Sequence, residues 1–199
     1  LKLRCLECGN NGLTELDITN NSNIEVLSCP ENQLSKLDTS QLTNLSGVDC
    51  SQNNIKALEI VTNNLHWIRC CNNQLTQLII PDNPDLNQIW CDYNNIEELK
   101  IGNCQYLEII NCTSNNITSL EISNLGNLKT LICDYNNLSS IDVSSNLKLE
   151  ELWVFGNSLK SIDVSNNKLL KSLLCNFNDI DKLNVSNNSN LVTLWCHNN

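Results

Sequence analysis

Apolar and polar positions fall into one pattern that recurs every 21 residues from end to end of the chain. A Leu or Ile opens each unit at Leu3, Ile24, Leu45, Leu65, Leu86, Leu107, Leu128, Leu149, Leu170 and Leu191. Three residues on stands a second aliphatic: Leu6, Leu27, Val48, Ile68, Ile89, Ile110, Leu131, Leu152, Leu173 and Leu194. Two further on come Cys8, Cys29, Cys50, Cys70, Cys91, Cys112, Cys133, Val154, Cys175 and Cys196, and then Asn11, Asn32, Asn53, Asn73, Asn94, Asn115, Asn136, Asn157, Asn178 and Asn199. Leu or Ile follows at the eleventh and fourteenth places, and mostly Ile or Val at the sixteenth. The unit opening at Leu45 is 20 residues long, one short in the return turn at residues 61–64. A fixed period of this size is the mark of a solenoid, in which each unit buries its apolar side against its neighbours.

The alternation around places four to six predicts a short strand with one face inward, centred on Leu6–Cys8 in the first repeat and on the matching residues thereafter. Stacked about 4.8 Å apart, ten such strands form one parallel sheet. The Asn stands where the chain leaves the strand; an amide both donates and accepts, so a column of them satisfies turn backbone from one repeat to the next. About ten residues remain per repeat, many of them β-branched, too few for a full α-helix; short strands, turns or 3₁₀ pieces are expected there. The clock never pauses for a linker. Residues 1–199 therefore read as one domain of nine full repeats and a partial tenth from Leu191.

The segment LxxLxCxxNxL and the second half seen in Ile141-Asp142-Val143-Ser144 and Ile162-Asp163-Val164-Ser165 resemble leucine-rich repeat proteins, and among them the short bacterial repeats of the internalin class. The resemblance covers essentially the whole chain. It implies a right-handed solenoid with the parallel sheet on the concave side and almost no α-helix, and a secreted or cell-surface bacterial protein, with cytoplasmic or host-delivered as the alternative. It does not imply a particular function, because one fold serves many partners. No helical cap flanks the apolar end rungs around Leu6 and Leu194, so the chain is expected to be a fragment of a longer protein or to associate end to end with another copy.

Twelve cysteines in 199 residues suggest a disulfide framework until their places are counted. Nine share the inward column, where Val154 takes the tenth place, so the column selects small apolar volume. Parallel in-register strands also hold their Cβ vectors parallel, which suits the disulfide dihedral poorly. Reduced, buried thiols are the expectation. Cys5 and Cys71 fall at outward places and Cys104 in a turn, and these three are expected to be the reactive ones. No spacing fits a metal site or a cofactor, and neither His66 nor His197 has a nucleophile at motif spacing, so no catalytic residue is assigned. No stretch of 18 apolar residues spans a membrane. The net charge of −10 argues against nucleic acid, whose backbone needs a basic face.

Function has to lie where columns vary. The outward places three, five, seven and eight hold 40 residues yet carry eight of the nine aromatics: Trp67, Trp90, Tyr93, Tyr135, Trp153, Phe155, Phe177 and Trp195, with only Tyr106 elsewhere. Arg69, Asp92 and Asp134 are interleaved with them. An exposed aromatic surface rimmed by polar groups marks a site for a protein or peptide. Two alternatives stand beside it: a glycan stacked on the same rings, and a structural spacer whose aromatics merely stabilise the sheet.

Overall fold

The computed structural model describes residues 2–199. Ten strands form the main sheet: β1 (Cys5–Glu7), β2 (Val26–Ser28), β3 (Gly47–Asp49), β4 (Trp67–Arg69), β6 (Gln88–Trp90), β8 (Ile109–Asn111), β9 (Thr130–Ile132), β10 (Glu151–Trp153), β11 (Ser172–Leu174) and β12 (Thr193–Trp195). They pair in parallel in that order, with Leu6 opposite Leu27, then Val48, Ile68, Ile89, Ile110, Leu131, Leu152, Leu173 and Leu194 in turn. Register cannot slip, because a one-residue shift would turn this aliphatic column out to solvent. On the return side, β5 (Gln77–Ile80) and β7 (Glu98–Ile101) form a second, two-stranded parallel sheet. The remaining return segments are turns and bends, and the described residues contain no helix. The fold is a leucine-rich repeat solenoid, as the period demands.

One detail differs from the sequence expectation. Each strand is centred on the aliphatic of place four, and the Cys of place six lies just past the strand. The hydrogen-bond ladder nevertheless continues through it, with Cys29 N–H donating to Asp49 O and Cys70 N–H to Trp90 O. The chain then turns at place eight in the left-handed region, at φ of +54° for Tyr93, +49° for Tyr135 and +53° for Phe177. In repeat 8 the same place is Gly156, at +64°. The Asn of place nine locks this turn. Asn94 Nδ2 donates to Cys91 O at 3.1 Å and, across the rung, to Cys70 O at 3.0 Å, while Asn94 Oδ1 accepts the Leu75 N–H at 3.0 Å.

A second amide column went unread in the sequence. Asn146, Asn167 and Asn188 are buried in the return turns, each Nδ2 donating to carbonyls of the preceding repeat, such as Asn167 to Val143 O and Asn146 O at 3.0 Å. Cys104 occupies this column in its own repeat and is buried, so it is a core thiol rather than an accessible one. Cys71 is corrected too. Its Sγ donates to Asp92 Oδ1 at 2.9 Å, and burial together with that carboxylate pushes its pKa up to about 12. No cysteine is paired. Cys29, Cys50, Cys70, Cys91, Cys104, Cys112, Cys133 and Cys175 are buried, whereas the column members Cys8 and Cys196 are half-buried and exposed. Thiol titration of the native protein is thus expected to label Cys5 and Cys196 quickly and to reach the eight buried thiols only after denaturation. Fast labelling of more than four thiols would contradict this packing.

Candidate binding face

The outer face of the ten-stranded sheet carries places three, five, seven and eight, because the inward places are filled by the aliphatic and Cys columns. All eight sequence-selected aromatics stand on this side, but repeat 6, with Ile109, Asn111, Thr113 and Ser114, separates them into two groups. Trp67, Trp90 and Tyr93 lie on repeats 4 and 5, and Tyr135, Trp153, Phe155, Phe177 and Trp195 on repeats 7 to 10. Trp90 and Trp153 are three strands apart, about 14 Å at sheet spacing.

Exposure differs by place. At place eight, Tyr93, Tyr135 and Phe177 are 56%, 57% and 51% exposed, while Trp67, Trp90, Trp153 and Phe155 are half-buried and Trp195 is exposed. The three place-eight rings sit on left-handed backbone outside the strands, a conformation that costs a non-glycine residue about 1 kcal/mol or more. Strand propensity cannot be what selects them. Edge-to-face packing joins Tyr135 to Phe155 at 5.0 Å and Phe177 to the His197 ring at 5.4 Å. Two glycines make room for rings: a Cβ on Gly156 would come within 2.7 Å of Tyr135, and one on Gly47 within 2.3 Å of the Trp67 indole.

The polar members divide sharply. Arg69 is exposed, its guanidinium 5.6 Å from the Trp67 ring centre. Asp92 is half-buried and tied into the face, accepting from Cys71 and from Asn111 Nδ2 at 3.2 Å. Asp134 departs from its assignment as a surface contact. It is 3% exposed, its Oδ1 has no partner, and burial lifts its carboxyl to about 7 against weaker, opposing hydrogen bonds from Thr113 and the Phe155 backbone. Asn176 Oδ1 and Trp153 Nε1 are likewise buried without partners. Sequence parity could not reveal this burial, which depends on packing between repeats. Along one margin, Arg4–Glu25 (2.6 Å), Glu108–Lys129 (2.8 Å) and Glu150–Lys171 (2.6 Å) bridge adjacent repeats; pairs so exposed contribute little to stability.

Comparison with known proteins agrees with this architecture. The chain is similar to the functional domain of InlJ from Listeria monocytogenes, a structure said to include a cysteine ladder, at 32% identity and a TM-score of 0.91 over 95% of this chain and 42% of that one. It is similar to YopM from Yersinia enterocolitica WA-314 at 25% identity and a TM-score of 0.76, over 90% of this chain and 39% of that one. The internalin InlF of Listeria monocytogenes shares the fold at 17% identity and a TM-score of 0.65, over 90% of this chain and 62% of that one. The chain thus spans less than half the length of the InlJ and YopM structures it matches. No protein-family model matches it, and no curated protein does.

Proposed function

The chain is a leucine-rich repeat protein of the 21-residue, internalin-like class, and from that premise we propose that it is a non-enzymatic recognition module whose outer, concave sheet face binds a protein or peptide. One observation carries the reading. Tyr93, Tyr135 and Phe177 are more than half exposed on strained, left-handed backbone, where neither core packing nor strand propensity selects an aromatic. Exposed aromatics with Arg69 among them have the composition of interface hot spots. Trp153 and Phe155 extend that surface through repeat 8, and Trp195 through repeat 10. Asp134 lies beneath the surface, hydrogen-bonded to Thr113 and the Phe155 backbone, and is not a direct contact.

A protein ligand suits this surface better than a spacer role, since only the Tyr135–Phe155 pair stacks among the eight rings. The reading extends to a bacterial protein exposed at the cell surface or secreted, supported by the two internalins from Listeria monocytogenes among its structural relatives. No helix of the described residues is long and apolar enough to cross a membrane.

The test is a capture experiment with immobilised domain against host and bacterial lysates, run beside a glycan array. Trp90→Ala and Trp153→Ala are expected to weaken the captured protein by about 2 kcal/mol each, with the domain still folded at the temperature of the assay despite the cost of truncating a half-buried ring. Undiminished capture by both variants would move the site off this face, and retention on the array alone would favour the glycan reading.

A further inference from the structure

We propose that the pocket between repeats 4 and 5 receives a carboxylate carried beside an apolar group of a peptide partner, with Arg69 as the group that grips it. This rests on the recognition reading above and names what one part of the face takes. The pocket has a volume of about 360 Å³ and is lined by His66, Trp67, Arg69, Asn87 and Gln88. That is room for one residue rather than a fold.

The case begins with a cation that lacks a counter-charge. The chain carries 22 acidic residues and 12 basic ones, so a Lys or Arg on its surface has many possible partners. The ion pairs among the described residues, Arg4–Glu25, Glu98–Lys100, Glu108–Lys129 and Glu150–Lys171, leave out Arg69 along with seven lysines. Of these eight cations Arg69 is the one that lies against an aromatic ring and lines a pocket on this face. Asp49 is its in-register neighbour on β3, yet that carboxylate turns to its own backbone, with Oδ1 accepting the Ser51 N–H at 3.0 Å. Arg69 instead lies near the Trp67 ring at 5.6 Å. A cation–π contact at that range does not occupy the guanidinium N–H groups, which remain able to take a carboxylate through two parallel bonds.

The side chains around the pocket bear on the same ligand. Gly47 has no side chain, and a Cβ there would come within 2.4 Å of Trp67 Cζ2, so the indole lies directly over the β3 backbone. Gln88 Oε1 accepts from Trp90 Nε1 at 3.4 Å, which turns the amide N–H₂ of Gln88 away as a second donor. His66 Nδ1 is engaged by Asn64 O at 3.0 Å, which fixes that nitrogen as the protonated one. A carboxylate seated on Arg69 and Gln88 places its apolar neighbour against Trp67, the aromatic side chain that lines the pocket. The charge of −10 does not forbid this, since charges more than about 8 Å away are largely screened at physiological salt and a bidentate contact acts at bond distance. It does imply recognition by fit rather than by long-range steering.

The test uses the whole ¹⁵N-labelled protein and three small probes: N-acetylleucine, N-acetylleucinamide, and the α-amide of N-acetylglutamic acid. N-acetylleucine is expected to shift the Trp67 Nε1–H and Arg69 Nε–H resonances with a millimolar dissociation constant, and the uncharged leucinamide to bind at least tenfold more weakly. Arg69→Gln is expected to weaken N-acetylleucine by tenfold or more at an unchanged unfolding midpoint, and Asp49→Asn to strengthen it by removing the neighbouring negative charge. Binding of the glutamate probe assigns the carboxylate to an acidic side chain, and its failure beside N-acetylleucine assigns it to a chain terminus; both uphold the proposal. Equal shifts from acid and amide, no shift at tens of millimolar, or an unaffected Arg69→Gln variant would overturn it. If that happens while Trp153→Ala still loses the captured protein, the carboxylate pocket falls and the recognition face stands.

Discussion

Replacing Asn94 by Ala is expected to destabilise the protein by about 2–3 kcal/mol, the cost of orphaning a buried main-chain donor. The Asn94 amide makes four hydrogen bonds, to Cys70 O, Cys91 O and Asp92 O through Nδ2 and from Leu75 N–H through Oδ1. The two cysteine carbonyls survive the loss, because Asn73 also donates to Cys70 O and Asn115 to Cys91 O. The Leu75 N–H has no such second partner, and Leu75 is fully buried, so water cannot take the place of the amide. Asn94→Asp keeps the acceptor but removes both N–H donors and brings in a charge, so it should be at least as damaging. Asn11 occupies the same column in an exposed rung, and its loss is expected to cost well under half as much. Urea denaturation gives the overall loss, and hydrogen exchange at Leu75 N–H locates it. Equal effects from Asn11→Ala and Asn94→Ala would mean that the column is not a structural device.

What the sequence disclosed follows from which columns demand a residue type. Strand place four needs an aliphatic and place nine needs an amide, so Leu152 and Asn94 announce both sheet and turn. The return turn demands burial and modest size, and takes an amide at some repeats and a thiol or an aliphatic at others. Its buried column therefore reads Leu42, Thr62, Asn83, Cys104, Leu125, Asn146, Asn167 and Asn188, a mixture of aliphatic, hydroxyl, thiol and amide that shows its meaning only once the chain is folded. Cys104 departs from the expectation of an accessible thiol for that reason. Parity along the strand correctly sent Trp67, Arg69 and Trp90 to the outer face, but it says which way a side chain leaves the backbone and not what later covers it. Asp134 and Asn176 leave outward and are buried all the same, with Phe155 in the same place on the repeat between them. Nor could spacing show that Arg69 has no ion pair, or that Gly47 opens the space for Trp67; both depend on contacts between repeats.

Asp134→Asn is expected to stabilise the protein at pH 8 and to change little at pH 4. Burial is the main reason that the carboxyl of Asp134 is raised from 3.8 to about 7 in the folded chain. The native state therefore keeps a proton that the unfolded chain gives up between about pH 4 and 7, so native protein binds more protons across that window. Stability falls as pH rises through it and levels off above the folded value. Below pH 4 both states are protonated and the group contributes no pH dependence. A three-unit shift corresponds to about 4 kcal/mol as an upper bound; with the folded state relaxing around the ionised group, a gain on the order of 2 kcal/mol at pH 8 is the expectation for the variant. Asn fits this column, since Asn176 occupies it two repeats on and is equally buried. Asp163 supplies a control of opposite sign. Its carboxyl is held below the usual value by the Ser165 backbone N–H and hydroxyl, so its contribution is present at neutral pH and lost as the solution is acidified. Denaturation midpoints for wild type, Asp134→Asn and Asp163→Asn at pH 4, 6 and 8 decide the matter. A difference between wild type and Asp134→Asn that does not grow with pH would show that Asp134 is ionised in the folded protein and has found a partner.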